Sequence, residues 1–304
     1  MYFLRRIAFT LPLLLIISAL AFAMVHAAPG GPFDRERVPA SPEIERNLKA
    51  KYHLDEPLWR QYLRYLGDLA HGDFGPSLKY RNHTVNDVIA QALPVSLLLG
   101  SLALGFALGI GLPAGYLGAA RQGQWQDFTS GFFSLLAVCV PGFVIAPLLV
   151  TLFALKWRLL PVALWESPFH AILPTVALGL FYAGKVARLL REGMLNTMQS
   201  EFITAARAKG LGENAILLKH AFRLAILPVV SYSGPMLADL LTGSFVIENF
   251  FQIPGLGVYF INSSINLDYP MTVGLALLYA GLLIALNLAV DFAYQLLDPR
   301  VKYE

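Results

Sequence analysis

Six stretches of the chain, 8–28, 92–119, 128–156, 170–190, 224–248 and 271–297, are long and almost uninterruptedly apolar. Each has the length needed to cross the hydrocarbon core of a bilayer as a helix, which takes about 20 apolar residues. Inside that layer no water satisfies the backbone, so each segment must pair its own N–H and C=O groups. The predicted fold is therefore all-α: a polytopic membrane protein with six transmembrane helices, the longer of which must tilt, kink or project beyond the lipid. Composition agrees. Of 304 residues 56% are hydrophobic and 14% charged, against roughly 25% charged in a soluble domain, and the mean hydropathy is +0.57.

Arg5 and Arg6 precede the first run, which puts the N-terminus in the cytoplasm by the positive-inside rule. Alternation then sets the connection at Arg121 inside, 157–169 outside, 191–223 inside, 249–270 outside, and the tail with Arg300 and Lys302 inside. The basic residues follow this order. Lys185, Arg188, Arg191, Arg207, Lys209, Lys219 and Arg223 collect on the inner side, whereas 249–270 has no Lys or Arg and 157–169 has only Arg158. The net charge of +3 is thus a matter of membrane orientation, and nucleic acid is not an expected partner. Arg-Arg, an apolar core and "VHA" before Ala28 also fit a signal peptide cleaved at Ala27, but the core exceeds the roughly 7–15 residues usual for one.

Three regions follow: 1–28, a first helix with a cytoplasmic N-terminus; 29–91, a small extracytoplasmic helical cap; and 92–304, a transmembrane core. The cap opens on "APGGPFDRERVPASPE" and turns helical where Leu58, Trp59, Tyr62, Leu66 and Leu69 recur at three- and four-residue spacing, a stripe expected to dock. His53, His71 and His83 match no metal motif, and the single Cys139 can form neither an intrachain disulfide nor a cysteine metal site, so no metal is expected.

Within the spans, Gly105/Gly109 and Gly111/Gly115 repeat a small-xxx-small spacing that lets helix backbones approach closely. Pro141-Gly142, Pro147, Pro228 and Pro235 remove backbone donors and are expected to kink their spans. Asp239 falls near the middle of the fifth run, where a carboxylate costs about 2.5–3.5 kcal/mol against lipid, so it should face protein or water. Asn287 and Asp291, one turn apart on the last run, read as helix-to-helix hydrogen bonding.

One segment between the fourth and fifth runs is helical without being greasy: "SEFITAARAKGLGENAILLKHAFR", Ser200 to Arg223. On a helix Phe202, Ala205, Ala206 and Lys209 share a face, offering an aromatic knob, two small residues and a cation. Gly210 is placed to end that helix in a left-handed conformation, and Gly212 adds a second swivel before helix resumes from Ala215. A basic amphipathic segment lying on lipid is the alternative, but the narrow, alanine-rich face suits a protein groove better. A hairpin of this kind, at 200–223, is suited to pass motion from a soluble motor to the spans flanking it.

At these residues the chain resembles a known family. "TAARAKGLG", Thr204 to Gly212, resembles the cytoplasmic EAA loop of permease subunits of ATP-binding cassette importers, in particular the dipeptide/oligopeptide branch. The general pattern has Glu where this chain has Thr204 and Pro where it has Arg223; both departures are similar to the peptide branch. The resemblance runs nearly end to end, through "YHLDEPLWRQY", "HGDFGPSLKY", "TGSFVIENFFQIPGLG", "DYP" and "DFAYQLLDPR".

The resemblance implies a permease in the bacterial inner membrane that takes up oligopeptides by alternating access. Its implied partners are a second homologous permease subunit, two ATP-binding subunits that hold ATP and Mg, an extracytoplasmic peptide-binding protein, the peptide substrate and membrane lipid. No cofactor is implied in this chain. Glu201, Phe202, Ala205, Ala206, Lys209, Gly210 and Leu211 would form the coupling helix seated in an ATPase cleft. Glu248, Asn249, Pro254, Gly255 and Gly257 would belong to an outer gate or docking surface, with Asp239 on the path. The residues agree on one negative: no G-x-x-x-x-G-K-[ST] phosphate loop occurs, so the chain is not expected to be an enzyme. Two other classes fit less well. A self-powered secondary transporter usually shows internal repeats or several ionisable groups at mid-membrane, and an intramembrane enzyme shows a nucleophile elbow or a zinc-binding helix. Related importers of dipeptides or nickel are the nearer alternative.

Overall fold

The computed structural model describes residues 2–31, 47, 50–80 and 82–297. Most of "APGGPFDRERVPASPE", together with Arg300 and Lys302, lies outside the described residues, as do the side chains of Arg5, Arg6 and Asp291. Among the described residues the chain is all-α, apart from one isolated bridge between Pro76 and Thr84. Four helical stretches are long and apolar enough to cross a membrane, and two bent pairs bring the number to six. In order, the helices are α1 (Tyr2–Ala27), α2 (Leu58–Ala70), α3 (Val85–Ala120), α4 (Trp125–Cys139), α5 (Gly142–Lys156), α6 (Ile172–Met198), α7 (Glu201–Ala208), α8 (Glu213–Ala225), α9 (Leu227–Phe251), α10 (Leu256–Ile265) and α11 (Tyr269–Leu297).

The third apolar run is interrupted at Pro141, as expected, and the break is sharp. α4 and α5 meet at 103°, because Pro141 forces the preceding Val140 into an extended conformation (φ −100°, ψ 116°) and cannot itself donate to the α4 ladder. The last residues of α5, Val150–Lys156, wind as π-helix. The fifth run bends more gently, by 44° between α8 and α9, with Pro228 tolerated in the first turn of α9 and Pro235 inside it.

The chain divides into two compact units. Among the described residues, those up to 95 and 254–284 lie in the first, and 96–253 and 285–297 in the second.

In the first unit the stripe on α2 is split. Tyr62 docks on α1, its hydroxyl 2.8 Å from that of Ser18 and its ring 5.3 Å from Phe22, whereas Leu58 and Trp59 remain exposed. Burial pushes the neighbouring Tyr65 phenol well above its ordinary range. The start of α11 carries the best-satisfied carboxylate of this unit. Asp268, fully buried, accepts from the Ser77 hydroxyl (2.5 Å), the backbone N–H groups of Leu78 (3.1 Å) and Lys79 (3.2 Å), and the Met271 N–H (3.4 Å). It therefore caps α11 and ties down the loop ahead of α3 with the same two oxygens. Each buried donor left unmade costs about 1–3 kcal/mol. Asp268→Ala is thus expected to destabilise the subunit by roughly 3 kcal/mol or more, and Asp268→Asn, which keeps one acceptor, by about half as much; thermal unfolding of the purified subunit reads both.

The second unit is built on α6. Gly111 and Gly115 of α3 lie directly against it: a Cβ at Gly111 would stand 2.7 Å from the Ala183 carbonyl oxygen, and one at Gly115 2.4 Å from that of Ala187. The expected small-xxx-small packing holds there. It does not hold at Gly105 and Gly109, where a Cβ would meet no atom within 4 Å. α4 packs on the neighbouring side, with Gly184 of α6 against Ser134 and Ala137, and Arg191 grips Asp127 with two bonds of 2.6 and 3.0 Å. Arg191 is therefore a helix-to-helix clamp as well as a basic residue at the end of the span.

A candidate coupling hairpin and membrane path

α7 begins after Ser200, whose carbonyl accepts from the N–H groups of Ile203 and Thr204. It ends in a two-bond reversal: Leu211 N–H donates to the Ala206 carbonyl (3.3 Å) and Gly210 N–H to that of Arg207 (2.9 Å). Gly210 sits at φ +79°, the left-handed conformation expected of it, which a side chain would strain. Gly212 differs from expectation. Its φ of −67° and ψ of 145° suit any residue, so it is an ordinary helix start and not a second swivel. Helix resumes at Glu213, earlier than Ala215, and the second arm runs as α8 up to α9, so it is the foot of the fifth span. Arg207 and Glu213 face each other across the elbow at 2.7 and 3.3 Å.

The two faces of α7 sort the expected site residues. Ile203 and Ala206 turn inward and are buried, as are Ile216 and Leu217 on α8. Glu201, Phe202, Ala205, Lys209, Gly210 and Leu211 are exposed. Ala206 therefore does not belong to the outward face with Phe202, Ala205 and Lys209; it packs on its own chain, because adjacent residues on a helix point about 100° apart and the pair Ala205–Ala206 straddles the boundary between the two faces. In its place the outer face gains Leu211 and, from α8, Leu218, so that Phe202 (43% exposed), Leu211 (42%) and Leu218 (57%) stand out around the elbow.

Between α6 and α9 the spans carry polar groups. The Lys185 ammonium lies 4.7 Å from the ring centre of Phe181 and 5.3 Å from that of Tyr232, and donates to the Tyr232 hydroxyl at 3.2 Å. Asp239, two turns beyond Tyr232 on α9, is exposed at the chain surface, as are Ser231 and Pro235, while Met236 and Leu240 on the other side of the helix are buried. Sequence reasoning counted Lys185 with the inner-surface basic residues and did not see it as a site residue; its four-residue spacing from Phe181 on one helix face was the available signal.

The end of α9 separates its expected residues. Glu248 is fully buried, with the Ser244 hydroxyl 2.8 Å from its Oε1, so this carboxylate is held inside the subunit and does not form an exposed docking surface. Asn249 is exposed. The turn is made by Gln252 at φ +52°, with Ile253 N–H returning to the Glu248 carbonyl at 2.8 Å. In the other unit, Pro254 is exposed, while Gly255 and Gly257 are buried at the start of α10. Gly255 is extended and Gly257 helical, so this stretch leads into a short apolar helix.

One feature of α6 approaches a nucleotide motif. Gly179, Gly184 and Lys185 have phosphate-loop spacing, but Val186 stands where a Ser or Thr would hold Mg, and the stretch is unbroken helix whose N–H groups are already committed to the ladder. Both glycines serve packing, Gly179 against Ala103 and Phe106 and Gly184 against α4.

Comparison with known proteins agrees with this architecture. The family model of the binding-protein-dependent transport system inner membrane component matches residues 111–303. The chain is 43% identical over 301 residues to the oligopeptide transport system permease protein OppB of Haemophilus influenzae, covering 98% of each chain. It is 43% identical over 304 residues to OppB of Salmonella typhimurium, covering 99% of each, and 40% identical to the dipeptide transport system permease protein DppB of Bacillus subtilis, covering 99% of this chain and 97% of that one. Among solved structures, an inward-facing form of the MetNI methionine ABC transporter has a similar fold, with a TM-score of 0.56 at 19% identity over 71% of this chain and 97% of that one.

Proposed function

The chain belongs to the family of binding-protein-dependent transport system inner membrane components, and from that premise we propose that it is the permease subunit of an ATP-binding cassette importer for oligopeptides. The observation that carries this reading is near-full-length identity of 42–43% to oligopeptide permeases, supported by an exposed, glycine-ended hairpin at the foot of the fifth span. The chain sits in a bacterial inner membrane with both termini in the cytoplasm. It pairs with a second homologous permease, two ATP-binding subunits that hold ATP and Mg, and an extracytoplasmic protein that delivers peptide.

On this reading, closing of the ATPase pair moves α7. α8 transmits the movement to α9, which it meets at a fixed bend, and α6 moves with them because Gly193 lies against the Ala225 backbone, where a Cβ would stand 2.8 Å from the carbonyl oxygen. The spans then open to one side of the membrane or the other. Dipeptides are the second substrate class, favoured by the 40% identity to a dipeptide permease.

The test is the complete complex in liposomes, with the binding protein supplied. ATP hydrolysis and uptake are expected to rise together with peptide and to respond more to oligopeptides than to dipeptides. Uptake without any ATPase partner, or hydrolysis that peptide does not change, would overturn the reading.

A further inference from the structure

We infer that Lys185 and Asp239 are the stations in the membrane path that hold the carboxylate and amino ends of the transported peptide. The inference rests on the importer reading above and names a part of its substrate site.

α6 and α9 are membrane spans, and in a span an ionic group turned to lipid is strongly disfavoured, so it faces water, substrate or another protein. Lys185 is half-buried yet held in a defined position by the Phe181 and Tyr232 rings and the Tyr232 hydroxyl. A cation steadied by ring faces and one neutral hydroxyl keeps donors to spare, since an ammonium has three. Asp239 lies on the same exposed side of α9 as Ser231 and Pro235. Tyr232, which holds Lys185, is seven residues from Asp239 and so falls on nearly the same side of that helix, giving a polar face that is cationic at Lys185 and anionic at Asp239.

Two turns of α9 separate Tyr232 from Asp239, about 10 Å along the axis. An extended peptide spans at most about 3.3–3.6 Å per residue, so a short peptide reaches from one charge to the other. A free peptide carries an ammonium at one end and a carboxylate at the other, and this face is complementary to both. Side chains vary among peptides and the two termini do not, so recognition of the ends gives broad acceptance of sequence.

The test uses the complete reconstituted complex, with the binding protein saturated by one of two tripeptides that differ only in a free or an amidated C-terminus. Wild-type transport of the free form is expected to exceed that of the amide by about tenfold, the size of one charge-assisted hydrogen bond. Lys185→Met, which keeps the length packed on the rings, is expected to bring the free form down to the level of the amide and leave the amide unchanged, with Lys185→Arg restoring the difference. Asp239→Asn is expected to do the same for free against acetylated N-termini. Equal slowing of both peptides by Lys185→Met, no slowing of either, or loss of the second permease subunit on co-purification would overturn the assignment while leaving the importer reading intact. A wild-type complex that moves neither peptide would sink both.

Discussion

Phe202→Asp is expected to uncouple the importer: the subunit reaches the membrane and folds, but ATPase subunits no longer co-purify with it and peptide no longer drives hydrolysis. The reason lies in the split between the two sides of α7. Phe202 is 43% exposed, as Leu211 is at 42% and Leu218 at 57%, so it contributes little to the subunit's own core. A ring of that kind on an elbow gains about 1.5–3 kcal/mol when a partner buries it, and central aromatic anchors account for most of the energy of an interface. Replacing it by a carboxylate forfeits that gain and adds the desolvation of a charge, which is worth at least about thirtyfold in partner affinity. Ala205→Glu, on the same exposed side, should act likewise. Ala206→Glu and Gly210→Pro also stop transport but for a different reason. Ala206 is buried beside Ile203, and Gly210 holds φ +79° while donating to the Arg207 carbonyl, so both changes break the hairpin itself. Limited proteolysis separates the cases: the hairpin is cut in the latter pair and stays protected in Phe202→Asp. Full coupling in Phe202→Asp would remove this face from the ATPase contact.

What the sequence made legible, and what it left hidden, follows one physical line. Element type was legible wherever a single local rule dominates. Apolar length decided the spans, and Gly210 after an alanine-rich stretch decided the end of α7, because glycine takes that backbone conformation without the penalty a Cβ brings. Which side of a helix meets what was not legible, since it depends on neighbours distant in the chain. Gly105/Gly109 and Gly111/Gly115 have the same spacing, yet only the second pair lies against α6. Ala205 and Ala206 are chemically the same residue, and burial separates them. Lys185 looked like one more orienting cation until Tyr232, from another span, was placed over it. Asp268 was visible within a family-like "DYP", but that its carboxylate gathers donors from Ser77 to Lys79 required the fold. The size of the break at Pro141 was hidden too. A proline announces that a ladder is interrupted, but not that the two pieces meet at 103° with both packed on α6.

The glycines also give the second large effect. Gly115→Val is expected to prevent stable folding of the subunit, while Gly109→Val, six residues earlier on the same helix, leaves its melting temperature unchanged or slightly raised. At Gly115 the nearest atom to a new Cβ is the Ala187 carbonyl oxygen at 2.4 Å, with the Ala187 Cα at 3.1 Å behind it. These are backbone atoms of a helix whose own hydrogen bonds fix them, so no side-chain rotation relieves the overlap and α3 must move away from α6. That movement strips contact from Gly111, where Val186 and the Ala183 carbonyl are equally close, and from Gly118, which touches Ser130 and Arg191. Overpacking a well-packed site costs about 1–3 kcal/mol even where side chains can yield, and in a membrane close helix approach supplies much of what holds spans together. The loss should therefore exceed that range. At Gly109 a valine enters open space, and the only intrinsic change is a modest gain from replacing glycine in a helix. Melting curves of the two detergent-purified variants decide the matter. If they coincide, α3 does not approach α6 through its backbone.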